Sequence, residues 1–325
     1  YVSEQSGYHH GEASLNGAIV GMAQDYVGSN NVNLLLPNGQ FGTRLQGGKD
    51  SASERYIFTQ LNQITRYIYR KEDDPVLEYL EDDGDPVEPR YYVPIVPMVL
   101  VNGGKGIGTG FSTDILSYNI DTLINILKSK LESESNEIDN ELSPFYKNFE
   151  GSCEKIDDKR YIVKGVYQKI TDKKIKITEL PIGYWTDDFK QHIEHLMEVD
   201  KNKKQKTFIK DYNDMSTDKV VDFEIVLNEP IDESKDSSNV YNNFEKTMKL
   251  YSTLSTNNMH LFNHEAKLTK YYDVKEIIDS YFPIRLEYYQ KRKNYQIATL
   301  EEELNILQNK SKFIMENING SIDLR

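Results

Sequence analysis

In the stretch GGKDSASERYIFTQL, residues 47–61, two cations, Lys49 and Arg55, flank a short polar run, and Arg55 is followed directly by Tyr56. A phenol ionises near pH ~10, so a tyrosine that attacks as a nucleophile near neutrality requires a cation or a metal to stabilise its phenolate. Arg55 and, through the loop, Arg44 and Lys49 supply that charge, and the same cations would hold a phosphodiester. The plainer reading is that an arginine stands beside a tyrosine by chance. The chain has 23 tyrosines, and Arg90 ahead of Tyr91 and Tyr92 repeats the pairing. Spacing alone leaves both readings open and favours the plainer one.

Other chemistry is less well supported. Gly42, Gly47, Gly48 and Lys49 approach a phosphate-binding loop, but the spacing misses by one residue and Asp50 stands where a magnesium-binding hydroxyl belongs. The alternating Gly106, Gly108 and Gly110 are a backbone device before they are a nucleotide site. His192 with His195 and His260 with His264 have metal-ligand spacings, yet without cysteine partners they read as ordinary core or surface histidines. Cys153 is the only cysteine, which excludes an internal disulfide and a cysteine-built zinc site.

The elements that must carry these residues follow from pattern. With 325 residues, 38% hydrophobic and 28% charged, the chain suffices for more than one core. Its net charge of -13 argues against a uniformly basic surface, so any anion site must be local. No apolar run approaches the ~20 residues of a membrane span and no signal peptide opens the chain, so a cytosolic or nuclear setting is expected. The start at Tyr1 and the end inside a helical pattern suggest a piece of a longer protein. Apolar spacing predicts an amphipathic helix over 10–28, ended by Gly28, then loops and short extended runs over 29–53, and a second helix over 54–69. Residues 71–89 read as an acidic surface loop, and 91–110 as a β-branched strand run entering a glycine turn. Further on come an amphipathic helix over 120–131, a polar linker over 132–144, and alternation favouring strands over 160–180. The polar runs 201–206 and 232–238 read as exposed loops. Finally Ile297, Leu300, Leu304, Leu307, Ile314 and Ile318 keep a heptad register interrupted by Ser311, the signature of a coiled coil or long antiparallel helix.

Several motifs occur together and in order: YHHGE (8–12), GSNN (28–31), GQFGTR (39–44), GGKDSAS (47–53), RYIFT (55–59), VEP (87–89) and VPMVLVNGGKGIGTGFS (96–112). With weaker matches in PFYKNFEG, ITELPIGYWT, NNMHLFN and YFPIRLEYYQKRK, the chain resembles the DNA breakage and reunion region of eukaryotic-type topoisomerase II. The resemblance implies an α+β, multidomain fold. Its parts would be a partial winged-helix DNA-cleavage domain over 1–114, a tower domain over 115–270 and the start of a coiled-coil arm over 271–325.

The activity implied is that of an ATP-dependent type IIA enzyme. It cuts both strands of double-stranded DNA through a 5′-phosphotyrosyl intermediate, passes a second duplex and reseals the first. A homodimer without membrane association is implied, nuclear or, for a viral source, cytoplasmic. Mg²⁺ and ATP would be bound by domains outside this chain, which carries no metal site of its own and is expected to be inactive alone. By the same resemblance Tyr56 is the nucleophile, Arg55 stabilises the pentacovalent phosphate, and His10 orients the phosphate or handles a proton. His9, Arg44 and Lys49 would contact DNA, and Ile107 would wedge between base pairs. Glu54 and Lys105 depart from the family pattern. Two other readings remain: the tyrosine-bearing component of a split enzyme, and a non-catalytic DNA-bending scaffold.

Overall fold

The computed structural model of the chain describes residues 1–132, 142–198, 207–235 and 240–322. Most of the polar linker, the run 201–206 and residues 236–238 of the second polar run lie outside these residues. Among the described residues the elements are mixed helix and strand. A short α1 (Val2–Ser6) precedes α2 (Glu12–Ala23), which starts after Gly11 at φ 86°.

The predicted helix over 10–28 is corrected at its C-terminus. The Asn30 side-chain amide donates to the carbonyls of Gly21 at 2.7 Å and Gln24 at 2.9 Å, taking up acceptors that a continuing helix would use. Only Ala23 of α2 is buried, so the apolar positions expected to form an inward face are left largely at the surface.

The predicted helix over 54–69 breaks into three pieces. Glu54–Tyr56 is a 3₁₀ turn, 57–61 runs extended, and only α3 (Gln63–Ile68) is α-helical. The extended piece bridges Asn38 to Phe58 and Leu35 to Leu61, so its backbone groups are satisfied by a partner segment. Asn62 then starts α3 by accepting from the Ile64 N–H and donating to the Asn33 carbonyl. A 3₁₀ turn at Lys71–Val76 follows, and the acidic run forms the hairpin β1 (Tyr79–Asp82) and β2 (Asp85–Pro89).

The β-branched run is also corrected. Met98–Val101 is a buried helical turn, α4, begun by Pro97, whose carbonyl accepts from the Leu100 N–H. The glycine-rich stretch is the strand, β3 (Gly104–Gly108), paired antiparallel with β4 (Phe111–Ile115).

Next come α5 (Ile120–Glu132), the strands β5 (Ser152–Asp157), β6 (Arg160–Lys164), β7 (Val166–Thr171) and β8 (Lys174–Glu179), and α6 (Thr186–Met197). β9 (Ile209–Asp214), β10 (Phe223–Leu227), α7 (Asn243–Thr247), β11 (Tyr251–Ser255), β12 (Met259–Phe262) and β13 (Leu268–Tyr271) lead to the 45-residue α8 (Val274–Ile318). One antiparallel sheet runs β7-β8-β10-β9 and another β11-β6-β5.

Two cores result. The first gathers Ile68, Leu100, Val101, Tyr118, Leu123, Ile126, Met259 and Ile278, and so draws on both sides of residues 114 and 270. The second packs Phe189 and Ile193 of α6 on Ile175, Ile177, Phe223 and Ile225 of the four-stranded sheet, whose alternate positions face inward. The side chain of Asp273 caps α8, which at 1.5 Å per residue is about 67 Å long. Ile277, Ile278, Arg285 and Tyr288 root it, while the heptad residues Ile297 to Ile318 are exposed. Among the described residues no helix is long and apolar enough to cross a membrane.

Candidate active site

The loop that precedes Tyr56 is folded back on itself by glycines. At Gly42 (φ 99°) a Cβ would lie 2.5 Å from the Gly48 Cα, and at Gly47 (φ 62°) it would lie 2.2 Å from the Trp185 ring. No larger residue fits either contact without moving backbone or indole. Asp50 accepts from both the backbone N–H and the hydroxyl of Thr43, and the Gly48 N–H donates to the Thr43 carbonyl. The residue that departs from a phosphate-loop pattern is thus a staple of this turn. Trp185 meets Tyr26 edge-on at 5.7 Å, and the N–H groups of Thr186 and Asp187 donate to the carbonyls of Arg44 and Leu45. The start of α6 therefore forms the back wall of the loop.

Arg44 points into that wall. Its guanidinium pairs with Glu179 at the end of β8, with 8% and 2% of the two side chains accessible. Glu179 also accepts from the N–H groups of Leu180 and Glu150. Arg44, expected at the DNA, has its charge met by a buried carboxylate and holds the loop to the four-stranded sheet. Lys49 is exposed on the same loop and enters no ion pair among the described residues.

Tyr56 lies on the 3₁₀ turn, 71% exposed, with the Arg55 guanidinium carbon 6.0 Å from its ring centroid. Arg55 is exposed as well. Glu54, the anion beside Arg55, is held below the usual carboxylate range first by its own backbone N–H, with Ser53, Asn16 and the Arg55 charge adding to the effect. Asn16 belongs to α2, and Asn16, Ile19 and Val20 line a small cleft together with Glu54, Ile57 and Phe58. The helix that follows the histidine pair is thus packed beside the tyrosine turn. His9 bonds Asp82 of the β1–β2 hairpin, Nε2 to Oδ2 at 3.0 Å, and His10 lies edge-on to Tyr8 at 5.3 Å; both are exposed. Of the other histidines, His192 meets the Thr247 carbonyl, His260 meets Asn258 and His195 lies 3.5 Å from Glu198. Among the described residues no three His, Cys, Asp or Glu side chains gather as a metal site.

Ile107 sits on β3 opposite Ser112, 95% exposed, so it does not plug a core. Nothing lies within 4 Å of a Cβ placed at Gly106, whereas one at Gly108 would strike the Phe111 ring. Lys105, one of the two departures from pattern, pairs across the hairpin with Asp114 at 3.2 Å. Truncation to alanine at Ile107 should therefore leave thermal stability within about 0.5 kcal/mol of the unaltered protein. A buried isoleucine would cost about 2–5 kcal/mol, and a loss of that size on thermal unfolding would show the side chain to be packed.

Sequence reasoning missed Glu179, Trp185, Asp50 and Asn16. Their roles depend on contacts that no local spacing encodes, although Trp185, the one tryptophan of the chain, is a usable flag. Chemically, the site offers an exposed phenol at Tyr56 with the Arg55 guanidinium beside it and the Lys49 ammonium exposed on the preceding loop.

The model of the DNA gyrase/topoisomerase IV family, in its A-type component, matches residues 1–325. The DNA topoisomerase 2 of Arabidopsis thaliana is 46% identical over 326 residues, covering 99% of this chain and 21% of that protein. The DNA topoisomerase 2 top-2 of Caenorhabditis elegans is 44% identical over 328 residues, with 99% and 21% covered. The chain spans about a fifth of the length of these curated relatives. The crystal structure of the Plasmodium falciparum topoisomerase II DNA-binding, cleavage and re-ligation domain superposes with a TM-score of 0.89 at 40% identity, covering 99% of this chain and 43% of that one.

Proposed function

This chain belongs to the DNA gyrase/topoisomerase IV family as a type IIA topoisomerase II breakage–reunion region, and we propose that it supplies the tyrosine half of a reaction that breaks and rejoins duplex DNA. The observation that carries this reading is Tyr56, exposed on its own 3₁₀ turn with Arg55 beside it. The Tyr56 Oη attacks a backbone phosphorus. The new O–P bond leaves the 5′ phosphate on the tyrosine, and the bond from phosphorus to the 3′ oxygen breaks. The phenol proton leaves to a base and the 3′ oxygen gains one; His10 is the side chain we assign to this transfer. Arg55 stabilises charge on the five-coordinate phosphate, where a fixed guanidinium acts more strongly than in the ground state. Attack by the 3′ hydroxyl on the phosphotyrosyl ester reverses each step, and the ester conserves the energy of the broken bond.

His9 and Lys49 are assigned to DNA phosphates and Ile107 to a wedge between base pairs, where unstacking costs a few kcal/mol per step and the bent duplex meets more protein. Arg44 serves as the buried anchor of the loop. Residues 1–114, 115–270 and 271–325 act as winged-helix, tower and coiled-coil arm. Two copies would cut the two strands, in the nucleus. Among the described residues no three His, Cys, Asp or Glu side chains gather as a metal site, and on the family resemblance we assign Mg²⁺ and ATP to regions other than residues 1–325. A metal bound there would supply electrostatic stabilisation of the leaving oxygen.

Incubating the full-length protein with plasmid DNA and Mg²⁺, stopping with denaturant and digesting both polymers should yield the Tyr56 peptide carrying a 5′-linked nucleotide in the mass spectrum. A nucleotide found on Tyr91, or on no tyrosine of this chain, would overturn the assignment.

A further inference from the structure

A second buried charged cluster lies away from the site, where α8 meets the segment that follows Tyr56. Asp73, in the Lys71–Val76 turn, and Arg285, on α8, are each 3% exposed. Arg285 Nη1 donates to Asp73 Oδ2 at 2.8 Å and to the Val93 carbonyl at 2.6 Å, and Arg292 Nη1 donates to Asp73 Oδ1 at 3.2 Å. The Arg285 guanidinium carbon stands 3.9 Å from the Tyr289 ring centroid, and that of Arg292 stands 5.0 Å from it. On the same side of α8, Tyr281 donates to the Pro94 carbonyl at 2.6 Å and Tyr288 packs edge-on to Tyr91. Positions 281, 285, 288 and 292 recur at three- and four-residue steps, so they form one stripe. α8 is held by this stripe and its apolar root, while its heptad residues beyond 292 are exposed.

The other side of the joint leads to the nucleophile in few steps. Asp73 follows α3 directly, and α3 follows the Tyr56 turn. The Thr65 hydroxyl bonds the Leu34 carbonyl, and the Ile95 N–H bonds the Ile68 carbonyl. α3 is therefore tied both to the segment that pairs with the tyrosine strand and to the segment that Arg285 grips. At the joint two guanidiniums share the Asp73 carboxylate, and Glu72 beside it also feels the Arg292 charge. Among the described residues Arg285 Nε and Nη2 are buried with no geometrically good acceptor, and Tyr289 is the side chain against which the guanidinium lies. A cluster selected for stability alone would be expected to satisfy those donors or to be apolar.

We propose that Asp73, with Arg285 and Arg292, is a positioning joint that sets the angle at which α8 leaves the tyrosine-bearing unit and so couples the far end of α8 to the placement of Tyr56. This rests on the proposed role of Tyr56. A small angular change at the root is multiplied along a helix of about 67 Å. In reverse, whatever holds the far end of α8 gains leverage on the reacting tyrosine.

The test uses the full-length protein with all its native cysteines, Cys153 among them, replaced and spin labels at Gln60 and Ser311, both exposed and outside the proposed machinery. Three versions are compared: the unaltered joint, Arg292→Gln, and Asp73→Leu/Arg285→Met/Arg292→Leu, an apolar joint that avoids an orphaned buried charge. Label-to-label distance, melting temperature, DNA affinity and the fraction of DNA held in covalent complex are read together. The expected result is a shifted or broadened distance with near-native melting and DNA affinity, and a covalent fraction altered about ten- to hundredfold in the apolar joint and less in Arg292→Gln. If the apolar joint fails to fold, Arg292→Gln alone decides. Unchanged distances would overturn the joint, and a changed distance with an unchanged covalent fraction would overturn its coupling to Tyr56. If the unaltered protein forms no adduct at Tyr56, the proposed reaction and the coupling fall together, while the distances still report whether Asp73 sets the helix angle.

Discussion

Tyr56→Phe in the full-length protein should bind duplex DNA as the unaltered protein does and form no covalent adduct. The substitution removes only the phenolic oxygen. Because the side chain is 71% exposed and, among the described residues, no hydrogen bond is made to its hydroxyl, neither packing nor the surrounding turn is disturbed. Loss of a catalytic nucleophile lowers turnover by on the order of 10⁴-fold or more, which places the adduct below detection on a denaturing gel after incubation with DNA and Mg²⁺. On the proposed assignment affinity rests on Lys49, Arg55 and the rest of the surface, and should be retained at matched salt. An adduct that persists in this variant moves the nucleophile elsewhere. Tyr91 is the first alternative because it also follows an arginine, although its ring is engaged with Tyr288. Retained binding without an adduct in either protein would instead favour a DNA-bending scaffold.

Glu179→Gln should be among the most destabilising single changes in the chain, although Glu179 is remote in sequence from Tyr56. It leaves the Arg44 guanidinium buried without a counter-charge. Breaking a buried pair from one side costs about 3–5 kcal/mol, where an exposed pair costs at most about 1. Glutamine keeps one acceptor oxygen, so of the Leu180 N–H, held by Oε1, and the Glu150 N–H, held by Oε2, one is left facing an amide NH2, which adds to the loss of charge. Trp185 packs against Gly47 and Tyr26 on the loop that Arg44 anchors, and as the single tryptophan its fluorescence reports release of that loop during denaturation. The two placements of Arg44 make opposite forecasts. An arginine that faces DNA would be relieved of a competing carboxylate by Glu179→Gln, giving tighter DNA binding at unchanged stability. A buried anchor gives an earlier tryptophan transition and weaker binding, because the loop that carries Lys49 is no longer held.

What the amino-acid order determined by itself was local or dense. The glycines, Lys49 and the Arg55–Tyr56 pair define a basic loop in an acidic chain, and the ordered motifs around them identify the family. Strict periodicity over 120–131 and alternation over 174–179 predict α5 and β8, because a single buried face imposes 3.6- or 2-residue spacing whatever it packs against. Where the deciding partner is remote, the same signals point the wrong way. Residues 57–61 have helical spacing but run extended, since the backbone of 35–38 offers them bridges that a helix would forgo. VPMVLV is β-branched yet turns helical, because Pro97 begins a turn whose side chains fill the first core. Ile107 is apolar yet stands in solvent, because its place on the hairpin leaves the side chain 95% exposed. Arg44 reads as a surface cation beside Lys49. Only the fold brings it to Glu179, 135 residues on, and Asp73 to Arg285, 212 residues on. Charge sign and spacing are properties of the chain, but which charges are buried and which face a substrate depends on long-range pairing, because a charge leaves water only where a distant partner offsets its desolvation.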